Sequence, residues 1–236
     1  MARYLEKSLS LLIAIKSCQR DRDAGFHRAI RETWGRDFHP LLFFLGGPQT
    51  DMVGDISLPC ADDYLSLPQK THEICKWVAG LPLPPQHIFL CDNDTFVDMN
   101  SLLSTPYHLY DYAGHFRGGQ REIGQKFFYQ DHTGDYPDCY PWASGGIGYF
   151  LSLRAVELVA KTPPKVWAED MYVGQVLGPH IESHMLKATA LPLHSVATWH
   201  FRKSKLFPEF TPDLLRRIYR DGGPGLVYAE AACSAK

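Results

Sequence analysis

The chain has no apolar run approaching the roughly 20 residues needed to cross a bilayer. Its longest early run, Leu9 to Ile15, is far shorter and is followed by "KSCQRDRD" rather than a small-residue cleavage site, so it reads as a strand and not as a leader. There is no CxxC pair. The six cysteines, at 18, 60, 75, 91, 139 and 233, are scattered, which argues against a thiolate zinc site. There is no excess of basic charge either: 24 Lys and Arg face 26 Asp and Glu, for a net charge of −2. A nucleic-acid partner normally demands a basic stripe, so none is expected. Repeats, linkers and low-complexity tracts are also missing, and 236 residues then make one domain the simplest organisation.

What is present is the composition of a globular protein, 45% hydrophobic and 21% charged. Aromatics reach 13%, with 12 Tyr and 5 Trp, enough to line a sugar or base site after the core is filled. Through the first hundred residues strand and helix signals alternate. "SLLIAI" leads through a polar loop to a helix over "AGFHRAIRETWG", closed by Gly35. "LLFFLGG" is a second strand. "PQKTHEICKWVAGL" has helical spacing of Ile74, Trp77 and Val78, and "HIFLC" is a third strand. Strands separated by helices of this length predict a parallel, doubly wound sheet, whose ligands bind at the C-terminal ends of the strands.

Residues 105–145 are rich in Tyr, Gly, Asp and Pro and predict irregular strands and loops. Helices are expected over "SLRAVELVAKT", capped by Ser152, over "AEDMYVGQVLG", and over "TPDLLRRIYR", capped by Thr211 with Pro212 at its first position. "HMLKATALPL" and "HSVATWHF" read as extended.

Four segments carry chemistry. "HIFLC" runs straight into Asp92-Asn93-Asp94, two carboxylates one residue apart where a doubly wound sheet binds ligands. Hard oxygen ligands in that position suit magnesium, manganese or calcium, with phosphate oxygens completing the shell; the plainer reading is a solvated acidic turn. "YPWASGGIGYFLS" (140–152) holds Trp142, Ser144, Gly145 and Gly146, where backbone can pass close to a substrate or simply turn before a strand. Glu169 and Asp170 open a helix, either as ordinary first-turn charge or with one of them as a general base. "TWHFRKSK" (198–205) offers His200 as a metal ligand and Arg202, Lys203 and Lys205 as cations for a diphosphate; such groups are also common as structural histidine and solvated surface.

In this order, "AIRETWG" (29–35), "YLSLPQKT" (64–71), "DNDTFV" (92–97), "YPWASGGIGYFLS" (140–152) and "EDMYVG" (169–174) resemble the family 31 glycosyltransferases, the β-1,3-galactosyltransferase and Fringe-like group. The resemblance runs from about residue 9 to 174 and is weaker beyond. It implies a single-domain nucleotide-sugar transferase fold (GT-A type), a mostly parallel central sheet flanked by helices with a smaller irregular β region. Residues 1–104 would form the nucleotide-binding half and 105–236 the acceptor-binding half. It implies an inverting transfer of a hexose or N-acetylhexosamine, galactose favoured, from a UDP-sugar to a sugar hydroxyl of a glycan, glycolipid or glycoprotein acceptor, in a β-1,3 linkage.

The implied cofactor is Mn2+ or Mg2+ on Asp92, Asp94 and a C-terminal histidine. His200 is favoured over His194 because of its flanking cations. Asp170 matches the family's base, with Glu169, Trp142, Ser144, Gly145 and Gly146 on the substrate side. Ser17, Arg31, Lys70, Asp92, Asn93 and Lys203 are carried over for the nucleotide; Trp34 is expected to pack. Asn93 is a departure, since the family usually has Asp there. That departure keeps one rival in view, a carbohydrate- or nucleotide-sugar-binding protein without turnover; a second is a retaining transferase, which would also carry the acidic pair and a C-terminal histidine. The only Asn-x-Ser/Thr sequon, Asn93-Asp94-Thr95, falls inside the expected metal site. With no anchor or stem in the sequence, the expected location is cytoplasmic, in a bacterial or viral setting, free or peripheral to a membrane; the alternative is a Golgi-lumen catalytic domain without its anchor.

Overall fold

The structure, a computed structural model, describes residues 10–48, 53–117, 122–201 and 210–224. Its centre is a seven-stranded sheet. Strand β1 (Leu11–Lys16) lies between β2 (Leu41–Gly46) and β4 (His87–Asp92), both parallel to it, and β3 (Asp55–Leu58) extends the β2 edge in the same sense. On the other side β11 (Tyr149–Ser152) runs antiparallel between β4 and β6 (Tyr112–Gly114), and β12 (Ala188–Ala190) pairs parallel with β6. Most pairings are parallel, as expected, and strands from both sides of residue 104 share the one sheet.

The continuous apolar run of β1 is a consequence of cover on both faces. Leu11, Ile13 and Ile15 pack with Ala29 and Ile30 from helix α2 (Phe26–Glu32), with Trp34 just beyond its end, and with Leu215 and Ile218 from α7 (Pro212–Arg220). Leu12 and Ala14 point the other way, onto Ile74, Cys75 and Val78 of α3 (Leu67–Ala79) and Ala155, Val156 and Val159 of α5 (Leu153–Lys161). Strand β4 repeats the alternation, with Phe89 and Cys91 on the first face and Ile88 and Leu90 on the second. Trp34 packs in this core, as expected.

The caps read from the sequence are in place. Ser152 accepts the Ala155 N–H at 3.2 Å, and Thr211 accepts that of Leu214 at 3.2 Å ahead of Pro212. Other boundaries differ. The polar loop after β1 contains a short helix, α1 (Gln19–Asp23). Gly25, at φ +96°, separates it from α2, which ends at Glu32 rather than running on to Gly35. Helix α6 (Glu169–Glu182) continues through Gly178 and Pro179, and Gly178 lets Tyr140 lie against it, since a Cβ there would meet that ring at 2.1 Å. Of the two extended segments, only β12 and β13 (Thr198–His200) are strands. Met99–Leu103 forms α4.

The aromatic middle is more ordered than expected. β8 (Phe127–Asp131) and β9 (Gly134–Cys139) form a hairpin, while β7 (Phe116–Arg117) pairs with β10 (Trp142–Ala143). A last ribbon joins β5 (Thr95–Val97) to β13 in antiparallel register, Thr95 opposite His200. No helix among the described residues is long and apolar enough to cross a membrane. Cys18, Cys60, Cys75, Cys91 and Cys139 are free thiols.

Candidate active site

A cavity of about 700 Å³ opens where β1 and β4 end, the position a parallel sheet favours for ligands. Its floor is built around Lys16, the last residue of β1. The ammonium is buried, 3.1 Å from Asp92 Oδ1 and 2.8 Å from Glu169 Oε2. Burial alone would lower its pKa, but the two carboxylates outweigh that and raise it, so the site carries a fixed positive charge. Glu169 has no free oxygen: Oε1 accepts from Thr71 at 3.0 Å and from the Tyr149 hydroxyl. Gly145 is required for this pairing, since a Cβ there would lie 2.2 Å from Glu169 Oε2 and 3.1 Å from the Lys16 nitrogen.

Asp92, Asp94 and His200 bring ligand atoms within 4.8 Å of one another. The β5–β13 ribbon causes this. It sets His200 across from Thr95, and the Phe201 N–H donates to the Asp94 carbonyl at 2.9 Å. His200 Nε2 is 3.1 Å from Asp94 Oδ1 and 3.9 Å from Asp92 Oδ2. The 3.1 Å contact is an ion-pair distance and not an aligned hydrogen bond: Asp94 Oδ1 is buried with no hydrogen-bond partner among the described residues.

A buried oxygen left in that state, beside a second carboxylate and an imidazole, is the arrangement a divalent cation satisfies. The donor set fits Mn2+ or Mg2+ better than zinc, which prefers more nitrogen or sulfur. Burial and the neighbouring Asp94 raise the Asp92 pKa against the pull of Lys16 and His200. Burial lowers that of His200, but Asp94 and Asp92 outweigh it and the net shift is upward. Gly146 makes the space for His200, whose Cε1 would be 2.3 Å from a Cβ at that position. His194 is elsewhere, exposed and edge-on to His115 with ring centroids 5.8 Å apart.

Asp170 lines the same cavity and is less engaged than Glu169. Its carboxylate accepts the Met171 N–H at 2.9 Å and the Gly145 N–H at 3.4 Å. Burial first, and Glu169 second, raise its pKa against the opposing Lys16. A carboxylate with free lone pairs and a raised proton affinity is suited to general-base work. The wall beside it is aromatic: Tyr129, Trp142 and Trp167 all face the cavity. Trp142 stacks on Phe127 and takes Tyr129 edge-on, and the Trp167 indole N–H donates to Asp131 at 3.0 Å.

Ser17, Lys70, Asn93, Trp142, Ser144, Gly145 and Gly146 also line the cavity, as the sequence reading expects. Lys70 donates to the Ser17 carbonyl and, at 2.8 Å, to Asp62. Arg31 does not join them. Its guanidinium is 2.7 Å from Asp55 and lies over the Phe43 ring, because β3, unforeseen in the sequence, places Asp55 beside α2. Lys203 lies outside the described residues. The sequence reading missed Lys16, Arg20, Asp21, Tyr129 and Trp167. Only Lys16 had a signal, a lone charge at the end of an otherwise apolar central strand.

No protein-family model matches the chain. Curated proteins do. It is 29% identical, over an alignment 243 residues long, to β-1,3-galactosyltransferase 1 of Mus musculus and of Homo sapiens, covering 89% of this chain and 73% of each relative. It is 26% identical over 227 residues to β-1,3-galactosyltransferase 4 of Mus musculus, covering 70% and 58%. Over most of its length the chain is similar to galactose-transferring glycosyltransferases, and these relatives support a galactosyltransferase family for it.

Proposed function

We propose that the chain is an inverting, metal-dependent glycosyltransferase of the family 31 kind, moving galactose from a UDP-sugar to a sugar hydroxyl with formation of a β-1,3 linkage. The observation that carries this reading is the placement of the Asp92, Asp94 and His200 donors in the same cavity as the unsaturated carboxylate of Asp170. Asp92, Asp94 and His200 would hold Mn2+ or Mg2+, which when bound neutralises charge on the departing diphosphate.

The protein's own groups do the rest. Asp170 takes the proton of the acceptor hydroxyl as its oxygen bonds to the anomeric carbon. The bond from that carbon to the diphosphate breaks on the opposite face, so configuration inverts and no covalent enzyme intermediate forms. Lys16 holds Asp92 and Glu169 in place, which leaves Asp170 next in sequence facing the acceptor. Tyr129, Trp142 and Trp167 offer rings for the apolar face of an acceptor sugar and exclude water from that side. Ser17, Lys70 and Asn93 lie on the nucleotide side.

A panel of UDP-sugars with Mn2+ and a set of simple glycoside acceptors tests the reading. UDP release that depends on the metal, with a β-linked product, is expected. No UDP release from any donor would reduce the chain to a binding protein, and an α-linked product would make it a retaining transferase.

A further inference from the structure

Beside the Asp92, Asp94 and His200 group, a chain of hydrogen bonds runs from Arg31 inward to Asp21, and Asp21 sets the direction of the bonds at Asn93. Asp21 gives the starting point. Burial opposes its ionisation, but the Arg20 guanidinium at 2.9 Å and the Asn93 amide hold its carboxyl below the ordinary range. It is therefore a carboxylate that only accepts. The atom of Asn93 that lies 3.1 Å from Asp21 Oδ2 must then be the amide nitrogen. The same nitrogen is 3.0 Å from Ser17 Oγ, so Ser17 accepts there as well.

The Ser17 hydroxyl has its own hydrogen to place, and His27 Nε2 lies 2.7 Å away. At the far side His27 Nδ1 is 3.0 Å from Asp55 Oδ2, and Asp55 Oδ1 accepts from Arg31 at 2.7 Å. Facing a carboxylate that only accepts, Nδ1 is the donor of that pair, while Nε2 ties the ring to Ser17. His27, Asp55 and Asn93 are all buried, and turning the Asn93 amide over would set its oxygen against the Asp21 carboxylate and strand it there.

With both amide hydrogens of Asn93 committed, its oxygen is the atom left for the cavity that the residue lines. We infer that Asp21 is a positioning residue which dictates an amide at position 93 and, with the Ser17–His27–Asp55 chain, aims the Asn93 oxygen into the cavity as an uncharged acceptor for a ligand hydroxyl. On the function proposed above, that hydroxyl belongs to the nucleotide or its sugar. A carboxylate at position 93 would face Asp21 at about 3 Å with no proton between them, and the two would repel.

A four-protein comparison of wild type, Asn93→Asp, Asp21→Asn and the double variant tests this, first by thermal unfolding in metal-free buffer with chelator. Asn93→Asp is expected to lower Tm by about 4 °C. The double variant is expected to regain at least half of that loss, because an amide at 21 can donate to a carboxylate at 93. Losses that simply add, or an Asn93→Asp protein as stable as wild type, would overturn the inference. Calorimetric UDP binding with Mn2+ then separates positioning from mere support: the double variant should bind within about threefold of wild type and Asn93→Asp about tenfold more weakly. Rescue of Tm without rescue of UDP affinity would overturn the positioning role. A wild type that binds no UDP would defeat the nucleotide-sugar reading while leaving the Tm comparison to decide the Asp21–Asn93 relation.

Discussion

Lys16 Nζ and Glu169 Oε2 lie 2.8 Å apart across the floor of the cavity, both buried, joining the end of the first strand to the first turn of α6. The pair ties together segments more than 150 residues apart in sequence and fixes where Asp170, the next residue, points. Taking an ammonium out of water costs several kcal/mol, which only closely placed carboxylates offset. Glu169 is thus a structural partner for Lys16.

Glu169→Gln keeps the shape and removes the charge, leaving Asp92 as the only carboxylate among the described residues within ion-pair distance of Lys16. A loss of about 2–3 kcal/mol is expected, which in a chain of this size lowers Tm by about 5–10 °C. Thermal unfolding checks it. Stability equal to wild type would mean that Asp92 alone holds the ammonium.

The Asp92, Asp94 and His200 group gives a second expectation. Asp94→Ala and His200→Ala should each weaken Mn2+-dependent UDP binding by at least about tenfold, and Asp92→Ala less, because Lys16 already occupies one of its oxygens. His194→Ala should leave that binding unchanged. Gly146→Ala should behave like His200→Ala without unfolding the protein, since the added methyl strikes the imidazole side chain first. Titration calorimetry with and without Mn2+ reads all five. A loss in His194→Ala with none in His200→Ala would reassign the histidine.

The pH dependence of turnover follows from Asp170. Burial, and then Glu169, raise its pKa above the ordinary 3.8. A base acts only when deprotonated, so kcat should fall as pH drops through that raised value, well before an ordinary carboxylate would titrate. Asp21, Asp55 and Asp62 work the other way on stability. Their folded pKa values lie below 3.8, so their contribution is complete above that pH and is lost as pH falls through the lowered values. Activity should therefore fade on acidification before the fold does. A pH–rate profile beside circular dichroism tests the order; a rate that stays flat down to about pH 4 would contradict the assignment.

Much of this was legible in the sequence because it is local. A run such as "HIFLC" ending in Asp92-Asn93-Asp94 states both a buried strand and what stands at its C-terminal end. Paired carboxylates before "MYVG" likewise announce a helix start. What was not legible depends on which distant segments meet. Strand β3 is short and only partly buried, so no run announces it, and with it went the true partner of Arg31. Asp21 looked like one charge in a polar loop, yet it explains why an amide suits position 93. The hairpin behind Tyr129 alternates weakly because much of it is exposed, and its role as a wall exists only once Trp142 and Trp167 close around it.

The central claim is that Asp170 is the base of a metal-dependent transfer, and one comparison tests it most directly: UDP release from UDP-galactose with Mn2+ by wild type and by Asp170→Asn, alongside the UDP affinity of each. The substitution preserves size and hydrogen-bonding shape but cannot take a proton, and Asp170 does not belong to the Asp92, Asp94 and His200 group. The account predicts metal-dependent release by wild type, a fall of about a hundredfold or more in rate for Asp170→Asn, and UDP affinity within about threefold of wild type. An Asp170→Asn protein that turns over at the wild-type rate would contradict it.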